Sequence, residues 1–160
     1  NQHPEVKLII APHVIDENHL VEIIRKLKRP YVRYTRADEK NVRKADCLIV
    51  DCFGLLSSIY RYGEIAYIGG GFGVGIHNTL EAAVYGIPVI FGPKYQKFQE
   101  AVQLLEAKGA FSVKDYEELK TLLDRMLTDE VFLRESGMNA SNYVTGNAGA
   151  TDKIMSMINF

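Results

Sequence analysis

Ile65-Ala66-Tyr67-Ile68-Gly69-Gly70-Gly71-Phe72-Gly73-Val74-Gly75-Ile76-His77-Asn78-Thr79-Leu80-Glu81-Ala82-Ala83 is the stretch that decides how this chain is read. The apolar run 65–68 reads as a strand. It feeds a glycine-rich loop, and the loop feeds a helix expected over 78–85 with Gly86 as its stop. In open α/β sheets, ligands bind at the carboxyl ends of the strands. A helix start offers unpaired N–H groups and a partial positive charge, which suit an anion such as phosphate. Glycines let backbone approach a ligand with no Cβ in the way.

Two readings of this stretch stand side by side. Gly71-Phe72-Gly73-Val74-Gly75 is not G-x-G-x-x-G, and no Walker Lys-Ser/Thr follows it. A glycine loop after a strand is also a common tight turn. Asn78 is placed to cap the helix, and Glu81 three residues later completes an Asn-x-x-Glu capping box. The functional reading makes Glu81 a carboxylate that accepts two ribose hydroxyls, as acidic residues do in other nucleotide-binding folds. His77 either donates to a phosphate or fills the loop.

The pattern outward from the loop is consistent. Strands are expected at 6–11, 31–35, 47–52, 65–68, 89–91 and 110–113. Helices are expected at 16–28, capped by Asp16, and at 55–62, 78–85, 98–107, 116–127, 131–143 and 151–159. Gly109 is expected to stop the 98–107 helix. Apolar strands alternating with amphipathic helices predict a Rossmann-like, doubly wound α/β fold with a parallel sheet covered on both faces.

The chain has 160 residues, a size that suits one domain. Its net charge of −1 argues against a nucleic-acid binder. Cys47 and Cys52 are expected to be buried free thiols on opposite faces, which fits a reducing compartment. Asn1-Gln2-His3-Pro4-Glu5 has no apolar signal-peptide core, and no apolar run approaches the ~20 residues of a membrane-spanning helix. A start without methionine suits an excised domain or a processed product.

Several runs together resemble one family. They are Gly69-Gly70-Gly71-Phe72, Gly75-Ile76-His77-Asn78-Thr79-Leu80-Glu81, Gly86-Ile87-Pro88-Val89-Ile90-Phe91-Gly92-Pro93 and Phe98-Gln99-Glu100-Ala101. This pattern closely resembles 3-deoxy-D-manno-octulosonic acid (Kdo) transferase, an enzyme of lipopolysaccharide synthesis with the two-domain GT-B architecture. Asp51-Cys52-Phe53-Gly54-Leu55-Leu56 with Tyr60, and Ala11-Pro12-His13, extend the likeness upstream. Three departures stand out. Ile76 replaces a glycine, Ala82 replaces a proline, and the Ala11-Pro12-His13 loop lacks the family's arginine.

The resemblance implies that residues 1–160 are a single donor-binding domain, the C-terminal half of a glycosyltransferase. Such an enzyme moves Kdo from CMP-Kdo to a lipid A precursor at the cytoplasmic face of the bacterial inner membrane. The N-terminal domain, with acceptor site, membrane anchor and general base, would be absent here, together with a strand upstream of Asn1. The fragment itself is then expected to be soluble and inactive, with membrane contact only through the full-length protein. No metal or cofactor is expected. The donor-site residues carried over are Gly54, Gly70, Gly71, Phe72, Gly75, His13, His77, Asn78 and Glu81.

Lys94, in a polar loop after a strand, joins them as a cation for a phosphate or carboxylate, although a solvated lysine is the commoner case. Phe98 is expected to pack as the first apolar residue of its helix. Ser57 and Ser58 lack a nucleophile-elbow motif and a paired histidine. Two other classes stay open: another GT-B enzyme (a UDP-sugar transferase or UDP-sugar 2-epimerase), and a non-catalytic α/β module.

Overall fold

The computed structural model describes residues 3–73 and 75–157. The chain divides into two compact units, Asn1–Ile59 and Tyr60–Phe160. Among the described residues, six strands are parallel within two three-stranded sheets, one in each unit.

In the first unit, β1 (Leu8–Ile10), β2 (Tyr31–Arg33) and β3 (Cys47–Ile49) pair in the order β1-β3-β2. Leu8 and Tyr31 both lie opposite Cys47. The helix α1 (Glu17–Lys26) covers this sheet. Its apolar residues recur every three or four positions, so Leu20, Ile23, Ile24 and Leu27 fall on one side and pack with Cys47 and Ile49. Asp16 caps α1 as expected, its side chain accepting the His19 N–H. A short turn, α2 (Glu39–Val42), carries a full capping box between Asp38 and Asn41. The last element is α3 (Leu56–Ile59).

One buried carboxylate ties this unit together. Asp51, just past β3, is 8% exposed. It accepts the Thr35 N–H at 2.9 Å, the Thr35 hydroxyl at 2.6 Å and Arg33 Nε at 2.8 Å. Arg33 extends the chain of charges to Glu17 at the start of α1, at 2.8 and 2.9 Å. The exits of β2 and β3 and the first turn of α1 are therefore fixed to each other. Burial pushes the Asp51 carboxyl up, but the Thr35 and Arg33 hydrogen bonds outweigh it and hold the group at about 2.

The second unit opens with a 3-10 turn, Tyr60–Tyr62. There follow β4 (Ala66–Tyr67), α4 (Leu80–Ala83), β5 (Val89–Phe91), α5 (Gln99–Glu106) and β6 (Ala110–Ser112). The sheet runs β4-β5-β6, with Ala66 opposite Val89 and Ile90 opposite Phe111. Among the described residues, three helices follow: α6 (Tyr116–Thr128), α7 (Glu130–Asn147) and α8 (Ala150–Met157). The expected last helix extended to Asn159, and positions 158–159 lie outside the described residues.

Alternation along β5 places helices on both faces. Val89 and Phe91 face a core made with Ala82 and Ala83 of α4, Ala101 and Leu104 of α5, and Ala140 of α7. Ile90 points the other way, onto Met126, Leu119, Leu122 and Leu123 of α6 and onto Phe132 and Leu133 of α7. The expected α/β class and element order hold; β5 spans its expected residues, and the other strands are shorter than the apolar runs that encode them.

Other expectations need correcting. Phe98 packs against the core as expected, but from the N-cap of α5 and not from its first turn; Ala101 and Leu104 are the fully buried residues of that helix. Lys108, not Gly109, takes the left-handed conformation after α5, with φ of 59°. Gly109 is bare for another reason: a Cβ there would lie 2.6 Å from the Ala140 backbone of α7. Cys47 is buried and Cys52 is half-buried; both are free. Tyr116 leads its helix but is 57% exposed.

Replacing Asp51 by alanine strands the Arg33 and Thr35 donors. The expected loss is about 3 kcal/mol in urea unfolding at pH 7. Because the folded-state group sits at about 2 against an ordinary value of 3.8, its contribution is complete above pH 4 and fades as pH falls toward 2. Wild type and Asp51→Ala should converge in stability across that window. Parallel stability curves from pH 5 to pH 2 would contradict this role.

Candidate functional site

The site is built where β4 and β5 end. These strands are adjacent and parallel, so the loops that follow them emerge along one edge of the sheet. The loop after β4 folds back on itself. Gly70 and Ile76 form an antiparallel bridge, and the Gly71 N–H donates to the Gly75 carbonyl at 3.2 Å. The His77 N–H donates to the Gly69 carbonyl at 3.4 Å. The loop thus has two arms, an outgoing one from Gly69 and a returning one through Gly75 to Asn78.

Gly70 and Gly71 have φ of +95° and +81°, values that L side chains rarely adopt. The outgoing arm also lies directly on the loop after β5. A Cβ on Gly71 would fall 2.8 Å from Gly92, and one on Gly92 would fall 2.7 Å from the Gly70 carbonyl. These glycines are therefore required by close packing of backbone on backbone. Gly73 differs, because a Cβ there would meet nothing within 4 Å.

Lys94 reinforces the same contact. Its backbone N–H donates to the Gly71 carbonyl at 2.9 Å, and its ammonium donates to the Gly73 carbonyl at 3.1 Å. The exposed ammonium is thereby held over the glycine loop. Phe72 is 48% exposed. Ile76, the bulky departure from the family pattern, is 6% exposed and packs into the core beneath the loop. The substitution adds apolar contact below the loop and leaves its outer side clear of that side chain.

Asn78 does not form the expected capping box. The cap position of α4 belongs to Thr79, whose backbone is already helical and whose buried hydroxyl has no hydrogen-bond partner among the described residues. The Asn78 side-chain Oδ1 accepts the Leu80 N–H at 3.0 Å, and its side-chain Nδ2 donates to Glu81 Oε1 at 3.0 Å. Glu81 is thus held by the side chain of Asn78, where a capping box would use its backbone. Tyr60 lies close enough to feel that carboxylate. Its phenol is pushed up, first by burial and then by the Glu81 charge. With four residues, α4 is a single turn, so field at its start comes from local N–H groups and not from a long helix.

Eight of the expected site residues lie around this double loop: Gly70, Gly71, Phe72, Gly75, His77, Asn78, Glu81 and Lys94. His13 and Gly54 belong to the other unit, where they follow the adjacent strands β1 and β3 and are exposed. Gly92 was legible as part of a motif but not as a structural partner of the loop. Among the described residues, no group of three His, Cys, Asp or Glu side chains is placed to hold a metal ion.

No protein-family model matches the chain. It is 38% identical over 128 residues to a 3-deoxy-D-manno-octulosonic acid transferase of Aquifex aeolicus, covering 79% of this chain and 35% of that protein. It is 33% identical over 116 residues to the enzyme of the same name from Rickettsia bellii, covering 71% of this chain and 28% of that protein. A bifunctional glycosyltransferase/methyltransferase of Fusobacterium nucleatum is 31% identical over 148 residues, 86% of this chain and 23% of that protein. The chain spans about a third or less of the length of these relatives. Its fold is similar to that of a solved structure, the C-terminal CMP-Kdo binding domain of WaaA from Acinetobacter baumannii. The TM-score is 0.76 at 19% identity, over 90% of this chain and 76% of that one. The resemblance read from the motifs is borne out by these relatives, and the fold by this structure.

The packing account separates the glycines by experiment. Gly71→Ala and Gly92→Ala should each cost about 2 kcal/mol or more, since neither backbone can move away from the other. Gly73→Ala should stay within about 0.5 kcal/mol of wild type. Thermal melts of the three variants check this, and equal losses at all three positions would contradict it.

Proposed function

We propose that this chain is the donor-binding part of a Kdo transferase. It would hold CMP-Kdo for transfer of Kdo to a lipid A precursor at the cytoplasmic face of the bacterial inner membrane. The observation that carries the reading is the Asn78–Glu81 hydrogen bond, which sets a carboxylate beside the glycine loop. A carboxylate so placed suits two ribose hydroxyls, and the loop beside it suits a phosphate. His77 on the returning arm and the Lys94 ammonium supply further donors to phosphate or to the acid group of the sugar. Phe72 would cover one side. His13 and Gly54 are assigned to the same donor by family likeness.

The reaction is a displacement at the anomeric carbon. An acceptor hydroxyl forms the new bond to that carbon, the bond to the phosphate oxygen breaks, and CMP leaves with the electron pair. Loop N–H groups, His77 and Lys94 would stabilise the charge growing on that phosphate. The hydroxyl proton goes to a general base in the acceptor domain of the full-length enzyme. No step is assigned to a metal or cofactor. Residues 1–160 act as one donor-binding domain in this reading. Among the described residues, no helix is long and apolar enough to cross a membrane; membrane contact is assigned to the rest of the enzyme by family likeness.

Calorimetric titration tests the reading. CMP should bind more tightly than UDP, and Glu81→Ala should weaken CMP by about ten-fold or more, the loss of a charge-assisted hydrogen bond. UDP preference would move the assignment to a UDP-sugar enzyme, and binding untouched by Glu81→Ala would remove the ribose role. The chain alone should transfer no Kdo to a lipid A precursor, and measurable turnover would place the general base within it.

A further inference from the structure

We infer that Phe98 is a positioning residue for the returning arm of the glycine loop, its ring standing in for the side chain that Gly75 lacks. The inference rests on the donor reading above. Phe98 sits at the N-cap of α5 with an extended backbone, φ −110° and ψ 98°, and makes no capping hydrogen bond. Polar side chains satisfy free N–H groups at such positions, and phenylalanine cannot. What the position does provide is a ring, partly buried against the core beneath the loop. A Cβ on Gly75 would fall on the edge of that ring.

The contact reaches both arms. Gly75 accepts the Gly71 N–H through its carbonyl, so the ring that limits Gly75 also limits the pairing of returning arm to outgoing arm. Ile76 follows, anchored in the same core as the ring. His77 and Asn78 come next, and Asn78 holds Glu81. One aromatic side chain, 17 residues beyond Glu81 in sequence, thus sets the height of the arm that presents the candidate ligand groups. Removing the ring leaves a void under that arm which the packed backbone at Gly71 and Gly92 cannot collapse to fill. Sites lose affinity when their supporting groups loosen by fractions of an ångström.

The test compares Phe98→Ala, Phe98→Leu, Gly75→Ala and the Gly75→Ala/Phe98→Ala double variant, at a temperature where circular dichroism shows each folded. Amide hydrogen exchange at Gly71 and His77 reads the pairing of the arms directly. It should accelerate at least ten-fold in Phe98→Ala, with Phe98→Leu restoring most of the protection. CMP affinity should fall about ten-fold in Phe98→Ala, equivalent to ~1.4 kcal/mol. Gly75→Ala should weaken CMP binding strongly beside the native ring and add little once the ring is gone. A residue that served general stability alone would lower the melting temperature without this coupling or the local exchange. Unchanged exchange at Gly71 and His77 in Phe98→Ala, or strictly additive effects in the double variant, would overturn the assignment. Wild-type protein that binds no CMP would defeat the donor reading, while exchange at Gly71 would still decide the role of Phe98.

Discussion

Backbone pressed on backbone at Gly70, Gly71 and Gly92 is the constraint on which the candidate site depends. No side chain fits between the two loops. Their separation is therefore set by main-chain van der Waals radii and by the hydrogen bond from the Lys94 N–H to the Gly71 carbonyl. A contact of this kind has little freedom, since close-packed interiors resist small displacements. The site inherits that rigidity. Elements that arrive at it from β4, β5 and α5 are held at fixed heights before any ligand is present.

The first unit reaches a comparable rigidity by different chemistry. Its core around Leu20, Cys47 and Ile49 is small, and a buried carboxylate takes over part of the fixing. Asp51 collects three donors from Arg33 and Thr35, and Arg33 carries the connection on to Glu17. Isolated surface ion pairs contribute little, but this one is hydrogen-bonded on every side and largely out of water. It orients the segment that leads to Gly54. In one unit glycine does the work by absence of a side chain, and in the other a charge does it by saturation of its partners.

Periodicity made most of the architecture legible. The apolar spacing in α1, the alternation in β5 and the glycine punctuation gave element order and class without reference to contacts. What the sequence could not show were roles decided by distant partners. Gly109 looks like a helix stop, yet Lys108 takes the left-handed turn and Gly109 is bare because Ala140 lies against it. Asn78 and Glu81 have the spacing of a capping box, but their side chains bond each other and α4 begins one residue later. The glycines suggested ligand contact, whereas Gly71 and Gly75 are first accounted for by Gly92 and Phe98, and Gly70 by the Gly75 carbonyl and its own positive φ. Ile76 stands where the family pattern has a glycine, and its side chain lies in the core. Gly71, Gly75 and Gly109 meet Gly92, Phe98 and Ala140 across gaps that local pattern does not span.

The proposed donor reading rests ligand recognition on a short set of groups around one loop, with the glycines as their scaffold. Chemical-shift mapping of the isotopically labelled chain during a CMP titration tests that claim most directly. The account predicts saturable shifts concentrated at residues 69–81 and 92–94, strongest at His77, Asn78 and Glu81. Saturable CMP shifts that spare this loop and gather on the helices of residues 116–157 would contradict it.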